Sequence, residues 1–89
     1  MISKTTVMFR EAFAKLPQEI QEQARKTYRK FKQDPWHPSL HFKKIHASIP
    51  IYAVRVGKGY RAVGQKSSDA VVWFWIGSHE DYNNLLSQL

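Results

Sequence analysis

The chain has 89 residues, which is enough for one domain over residues 1–89, and its 43% hydrophobic and 13% aromatic residues can supply a core. This composition excludes a disordered chain, and the lack of cysteine excludes a disulfide framework and a cysteine-based metal or redox centre. Fourteen Lys and Arg against seven Asp and Glu give a net charge of +7, which indicates something about partners and not about the fold.

The positive charge is concentrated in the middle of the chain. Residues 25–66 contain eleven basic residues and one acid, whereas residues 67–89 contain three acids and no Lys or Arg. Such a stretch fits a nucleic acid, an acidic protein or simply a solvated surface. No apolar run is long enough to cross a membrane, and a chain without disulfides suits a reducing compartment, so we expect a cytoplasmic protein.

The first half of the chain has the periodicity of two helices. The first has its apolar residues at i, i+3, i+4 and i+7: Phe9, Ala12, Phe13 and Leu16. Pro17 is expected to open the second helix. The apolar face of that helix would consist of Ile20, Ala24, Phe31 and either Tyr28 or Thr27. Asp34-Pro35 should end it, leaving a helical hairpin that must bury its face against something else.

The second half changes to strand periodicity. We predict strands at residues 40–45, 51–56, 60–65 and 70–76, and the last is apolar on both faces, which is typical of a central strand. The turns between them are short, so the sheet should be antiparallel. Ser78 and Asp81 suggest a helix start at His79, with an apolar face of Tyr82, Leu85, Leu86 and Leu89. The predicted fold is α+β: a helical hairpin packed on an antiparallel sheet of about four strands, with a short C-terminal helix.

The turn Gly57-Lys58-Gly59 brings two arginines together. In a three-residue hairpin loop the last residue is usually left-handed, a place that suits Gly59. Arg55 would then lie opposite Arg61 on one face, where like charges repel. An anion between two guanidinium groups would remove that cost, and phosphate fits their planar forks. A two-residue loop would instead send the arginines to opposite faces.

Other polar residues are candidates for the same site. A helix N-terminus favours nearby anions, so His79 could act there in proton transfer, or could simply cap the strand–helix junction. Tyr82 lies one turn later and is either core or close to the same opening. Lys43 and Lys44 point to opposite faces of a strand, so at most one can join the arginines. His37, His41 and His46 lack the spacing and the carboxylates of a metal site, and we expect no metal and no cofactor.

Four segments carry a family resemblance. They are Phe13-x-x-Leu16-Pro17, Pro38-Ser39-Leu40-x-Phe42-Lys43-Lys44, Tyr52-Ala53-Val54-Arg55-Val56-Gly57-x-Gly59-Tyr60-Arg61 and Trp75-Ile76-Gly77-Ser78-His79-x-x-Tyr82. In this order, and over most of the chain, they resemble the RelE/ParE superfamily of bacterial type II toxin–antitoxin toxins. The last segment looks like the histidine-containing YafQ-type subgroup. The resemblance implies two helices on a twisted antiparallel sheet, with a first edge strand at Thr5-Thr6-Val7-Met8.

The resemblance also implies a function. RelE-type members cleave mRNA on the ribosome without metal, by attack of a ribose 2′-hydroxyl on the adjacent phosphate, and each has an acidic antitoxin as its partner. The resemblance places Arg55 and Arg61 on the phosphate. It assigns proton transfer to His79 and places Tyr82 close by. The expected RNA-binding residues are Arg25, Arg29, Lys43, Lys44 and Lys58. ParE-type members use the same scaffold to poison DNA gyrase, so a gyrase inhibitor or a catalytically silent binding module is the alternative.

Overall fold

Helices cover both faces of a single five-stranded sheet. The computed structural model describes residues 1–89. Its elements are β1 (Ile2–Thr5), α1 (Val7–Ala14), α2 (Gln18–Gln33), a 3₁₀ turn (Pro38–Leu40), β2 (Lys43–Lys44), β3 (Ile51–Val56), β4 (Tyr60–Ser67), β5 (Ala70–Ser78) and α3 (His79–Gln88). The strand order is β1-β5-β4-β3-β2. The predicted α+β class is confirmed, and β5 is an inner strand, as its apolar sequence indicated.

The sheet is mixed, because β1 runs parallel to β5 with Ile2 opposite Ala70. The edge strand expected over residues 5–8 is therefore displaced towards the N-terminus. The strand gives way to the helix at Thr6, whose N–H still donates to the Trp73 oxygen at 3.0 Å while its Oγ1 accepts a hydrogen bond from the Phe9 N–H at 3.1 Å and caps α1. Val7 and Met8 consequently belong to the first turn of that helix.

The strand predicted at residues 40–45 is much shorter than expected. Only Lys43 and Lys44 pair with β3. The stiff sequence at Pro38 forms the 3₁₀ turn, and His41 then adopts a left-handed conformation with φ of 49°. This path directs Leu40 and Phe42 into the core, where both are buried.

The helical hairpin packs on one face of the sheet. Phe31 of α2 is 2% exposed, and its ring makes edge-on contacts with Phe42 and Trp73, at centroid distances of 5.0 and 5.5 Å. Thr27 is the half-buried member of the pair that the sequence left open, whereas Tyr28 is 44% exposed. Pro17 is the N-cap of α2 and not its first helical residue, so the helix begins at Gln18, one residue later than predicted. The apolar face of the hairpin is otherwise as predicted.

Helix α3 packs on the opposite face. Tyr82 forms a buried cluster with Ile51, Ala53 and Val63, while Leu85 and Leu86 are half-buried. Leu89 follows the last helical residue and is 44% exposed, so it does not pack on the sheet as expected. None of the helices combines the length and the apolar character needed to cross a membrane.

Candidate functional site

The β3–β4 hairpin has the register that brings two arginines together. Arg55 lies directly opposite Arg61, and Val56 opposite Tyr60, so the three-residue loop is confirmed and the two-residue alternative is wrong. The left-handed residue is Gly57, with φ of 58°, and not Gly59 as predicted. Gln23 of α2 occupies the space where a Cβ at Gly57 would lie, whereas nothing lies within 4 Å of that position at Gly59.

Both arginines are held at the end of the hairpin by backbone carbonyl groups. Arg55 donates from Nε to the Gly57 oxygen at 3.0 Å, and Arg61 donates from Nη1 to the Tyr60 oxygen at 2.9 Å. Both side chains are half-buried. A guanidinium group has five N–H donors, so each arginine keeps several donors for a ligand. Their like charges at one end of the sheet favour an anion there.

The start of α3 is tied to the same end of the sheet. Ser78 pairs with Tyr60, and Gly77 pairs with Arg61. The Ser78 Oγ accepts from the Asp81 N–H at 3.1 Å, so the predicted helix cap is confirmed. The His79 N–H donates to the Gly59 oxygen at 2.7 Å. The imidazole of His79 is exposed, next to the hairpin loop.

Tyr82 lies one turn further along α3 and connects His79 to Arg61. Its ring centroid is 6.3 Å from that of His79, and the Arg61 Cζ lies 6.0 Å from it. The side chain is 6% exposed, and this burial raises the pKa of its hydroxyl above the usual 10.0, an effect that the charge of Arg61 opposes. Tyr82 is therefore a neutral hydrogen-bond donor at neutral pH.

Gly77 leaves room for the aromatic ring that packs beside Tyr82. A Cβ at Gly77 would lie 2.8 Å from two atoms of the Trp75 ring. That ring is 6.3 Å from the Tyr82 ring, centroid to centroid. Trp73 is a core residue, whereas Trp75 is only half-buried and packs against the cluster that contains Tyr82.

The remaining predicted residues are spread over both faces of the sheet. Lys43 pairs with Ala53 and so shares the face of Arg55, whereas Lys44 pairs with Tyr52 on the opposite face. Lys58 is exposed in the hairpin loop. Arg25 belongs to the α1–α2 hairpin, where its Cζ lies 5.3 Å from the centroid of the Phe13 ring. It lines an apolar cavity of about 230 Å³ there. Arg29 is exposed one turn further along α2.

Two basic residues outside the predicted set share a groove with one of the two arginines. Lys26 and Lys30 line an open groove of about 680 Å³ together with Arg55 and Lys58. A helical projection of α2 separates them from Arg25 and Arg29, because residues four apart share a flank and the next residue is turned by about 100°. A helical projection of the sequence could therefore have grouped Lys26 with Lys30, once the face of α2 that packs on the sheet was assigned.

The other histidines have local structural roles. The His37 Nδ1 accepts from the Ser39 N–H at 3.1 Å, and the His46 Nδ1 accepts from the N–H groups of Ser48 and Ile49, both at 3.0 Å. His41 is exposed at the left-handed residue that follows the 3₁₀ turn. These contacts shape the connections that flank β2.

Comparison with known proteins identifies the family. The model of the ParE-like toxin domain family matches residues 18–84, and the chain belongs to this family. No curated protein sequence matches the chain.

Solved structures show the same fold. A RelB–RelE antitoxin–toxin complex from Methanococcus jannaschii aligns with a TM-score of 0.74 and 16% identity, over 92% of this chain and 96% of that one. The E. coli RelBE complex aligns with a TM-score of 0.65 and 19% identity, over 85% of this chain and 93% of that one. YafQ from E. coli aligns with a TM-score of 0.68 and 9% identity, over 90% of this chain and 94% of that one. The fold is that of toxin–antitoxin toxins, and the likeness to the YafQ-type subgroup stays a prediction.

Proposed function

We propose that the chain is the toxin of a toxin–antitoxin pair, and that it is a metal-independent endoribonuclease acting on mRNA at the ribosome, in the bacterial cytoplasm. The observation that supports this most directly is the pairing of Arg55 with Arg61 beside the start of α3. Two guanidinium groups, an exposed imidazole and a neutral phenol then lie at one end of the sheet. This set of groups has the chemistry that phosphodiester cleavage requires.

The reaction needs no group beyond these side chains and the RNA itself. The ribose 2′-oxygen attacks the adjacent phosphorus while its proton passes to the imidazole of His79, and the bond to the 5′-oxygen breaks as that oxygen takes a proton from the same imidazole, directly or by way of a water molecule. The products are a 2′,3′-cyclic phosphate and a 5′-hydroxyl. Arg55 and Arg61 stabilise the negative charge that grows on the phosphorane. His79 is the proton-transfer residue, and the Tyr82 hydroxyl can donate to a phosphate oxygen.

The burial of Tyr82 supports this assignment. Its side chain is 6% exposed and packs against Ile51, Ala53 and Val63 of the sheet. The ring is therefore held in one place, with the Arg61 Cζ 6.0 Å from its centroid.

One observation favours inhibition of gyrase as a second candidate. Glu80 and Asp81 lie in the first turn of α3, next to His79, and both are exposed. Two carboxylates there oppose the approach of a phosphate. A ParE-like protein that binds DNA gyrase without a nuclease site would tolerate them.

The partner that we propose is an acidic antitoxin. The similar structures from Methanococcus jannaschii and E. coli are complexes of a toxin with its antitoxin. The net charge of +7 on this chain would attract an acidic segment. Such a segment would cover the basic residues and block access to the arginines.

The decisive experiment compares the two candidate targets directly. Purified protein, freed of bound metal by prior dialysis against EDTA, is incubated with ribosome-bound mRNA in magnesium buffer, and the RNA ends are mapped. In parallel, gyrase and supercoiled DNA are tested for protein-linked breaks. We expect new 5′-hydroxyl and 2′,3′-cyclic phosphate ends and no gyrase-linked breaks. Intact message together with gyrase-linked breaks would replace the ribonuclease by the gyrase inhibitor.

A further inference from the structure

A basic groove runs from the hairpin loop along α2, and His79 is not among the residues that line it. It is open, about 680 Å³ in volume, and lies between α2, the 3₁₀ turn and the tip of the β3–β4 hairpin. Lys26 and Lys30 line it from α2, while Arg55 and Lys58 line it from the hairpin. Gln23 touches the hairpin at Gly57 and closes the floor between the two walls.

The four cations in the groove have no acidic partner. None of the twelve residues that line the groove is acidic. The single ion pair of the structure joins the N-terminal ammonium to Asp69 in the turn between β4 and β5, and it involves none of the groove residues. Lys30 is held by a hydrogen bond from its Nζ to the Ser39 Oγ at 3.2 Å. The groove therefore presents uncompensated positive charge from both walls.

Arg55 belongs to both the groove and the candidate active site. It pairs with Arg61 across the hairpin and also lines the groove. Arg55 is therefore shared by the two sites, and a chain of negative charges bound at the arginines can extend from Arg55 into the groove. Regularly spaced phosphates on one strand match cations that are distributed along such a path.

The lining of the groove fits a nucleic-acid backbone better than a protein segment. Only three of its twelve lining residues are hydrophobic, whereas the buried centre of a protein interface is apolar and depleted in charge. Phosphate contacts need cations and hydrogen-bond donors and no apolar patch. We propose that this groove binds the phosphate backbone of the RNA strand adjoining the phosphate that is cleaved, with Lys26, Lys30 and Lys58 as contacts beyond Arg55.

The proposal rests on the proposed function in one respect, that the bound strand is RNA. Binding to the groove can be tested separately from cleavage. The probe is a single-stranded oligodeoxynucleotide of about ten nucleotides, a typical length for such sites. It lacks the attacking 2′-hydroxyl and cannot be cut. Its affinity for the wild-type protein and for the Lys26→Gln/Lys30→Gln variant is measured over a series of salt concentrations. Circular dichroism checks that the variant, altered only at exposed residues, remains folded.

The expected result is a change in the salt dependence. Each phosphate contact contributes about −0.7 to the log–log slope for a single strand, so loss of two contacts should make the slope shallower by about 1.4. The matched control is Lys4→Gln/Lys32→Gln, which removes the same charge. Lys4 lies on β1 at the edge of the sheet opposite β2, and Lys32 lies 5.7 Å from the Tyr28 ring. This control should keep the wild-type slope.

Three outcomes would contradict the proposal that the groove binds a nucleic-acid backbone. The first is an unchanged slope in the Lys26→Gln/Lys30→Gln variant, and the second is an equal change in the control. The third is loss of binding to poly-L-glutamate in the groove variant with binding to the oligodeoxynucleotide intact, which would assign the groove to an acidic protein. If the protein cleaves RNA, the groove variant should also raise KM and leave kcat unchanged. Failure of cleavage alone would remove the proposed function without altering the binding result.

Discussion

The backbone N–H of His79 donates to the carbonyl oxygen of Gly59 across 2.7 Å. This bond joins the first residue of α3 to the loop of the β3–β4 hairpin. The same loop carries Lys58 into the basic groove and contacts Gln23 of α2 through Gly57. The conformation of three loop residues therefore fixes both the position of the candidate proton-transfer residue and the width of the groove.

The two glycines of this loop should differ sharply in their tolerance of a side chain. Gly57→Ala forces a left-handed conformation on an L-residue, at about 1–2 kcal/mol, and also displaces Gln23. Gly59→Ala meets no atom within 4 Å and should change the free energy of unfolding by less than about 0.5 kcal/mol. Urea denaturation of both variants measures the difference. Equal costs would show that the loop has a different conformation.

Local rules predict much of this molecule. The period of apolar residues is enough to place Phe31 in the core and β5 inside the sheet, and the length of the Gly57–Gly59 loop predicts the register of Arg55 with Arg61. Ser78 predicts the start of α3. Each of these features depends on residues within a few positions of one another.

What sequence reasoning missed depends on contacts between distant segments. Gly57, and not Gly59, is left-handed next to Gln23, which lies more than thirty positions earlier in the chain. The parallel pairing of Ile2 with Ala70 joins the two ends of the fold. The grouping of Lys26 with Arg55 likewise requires the position of α2 on the sheet. Periodicity carries no information about such pairings.

Tyr82 should titrate at higher pH than an ordinary tyrosine. Its folded-state pKa lies above 10.0 because of burial. The folded state thus favours the neutral phenol, so this contribution to stability is complete below pH 10.0 and is lost as the pH rises through the folded pKa. The difference between the tyrosinate absorbance titrations of wild type and Tyr82→Phe measures it.

Arg61 provides an internal control for that titration. Its charge lowers the pKa of Tyr82, so Arg61→Ala should move the titration of Tyr82 to still higher pH. A titration of Tyr82 at or below 10.0 in the wild type would contradict its burial between α3 and the sheet. An unchanged titration in the Arg61→Ala variant would contradict the proximity of the guanidinium group to the ring.

Adjacent lysines on β2 should contribute unequally to RNA binding. Lys43 shares the face of Arg55, whereas Lys44 lies on the opposite face, which the α1–α2 hairpin covers. Lys43→Gln should make the salt dependence of binding to a single strand shallower by about 0.7, the loss of one phosphate contact. Lys44→Gln removes the same charge and should leave the slope unchanged. Equal effects of the two variants would mean that the strand does not follow the face of the arginines.

Arg61 and His79 should affect cleavage far more than folding. Arg61 is proposed to stabilise charge that develops fully only in the transition state, and loss of such a group typically costs about 10²–10³ in rate. His79 is proposed to transfer a proton, which contributes about 10²–10⁴. Arg61 is half-buried and His79 exposed, so neither replacement leaves a cavity in the core.

The test is cleavage of a ribosome-bound message by wild type, Arg61→Ala and His79→Ala, together with thermal melts of all three. We expect both variants to lose activity by the factors above with midpoints close to wild type. Relief of the repulsion between Arg55 and Arg61 should, if anything, raise the midpoint of Arg61→Ala. Lys4→Ala, a basic residue on the outer strand β1, is the control and should cut as wild type does. Wild-type rates in both site variants would show that these residues do not form the active site.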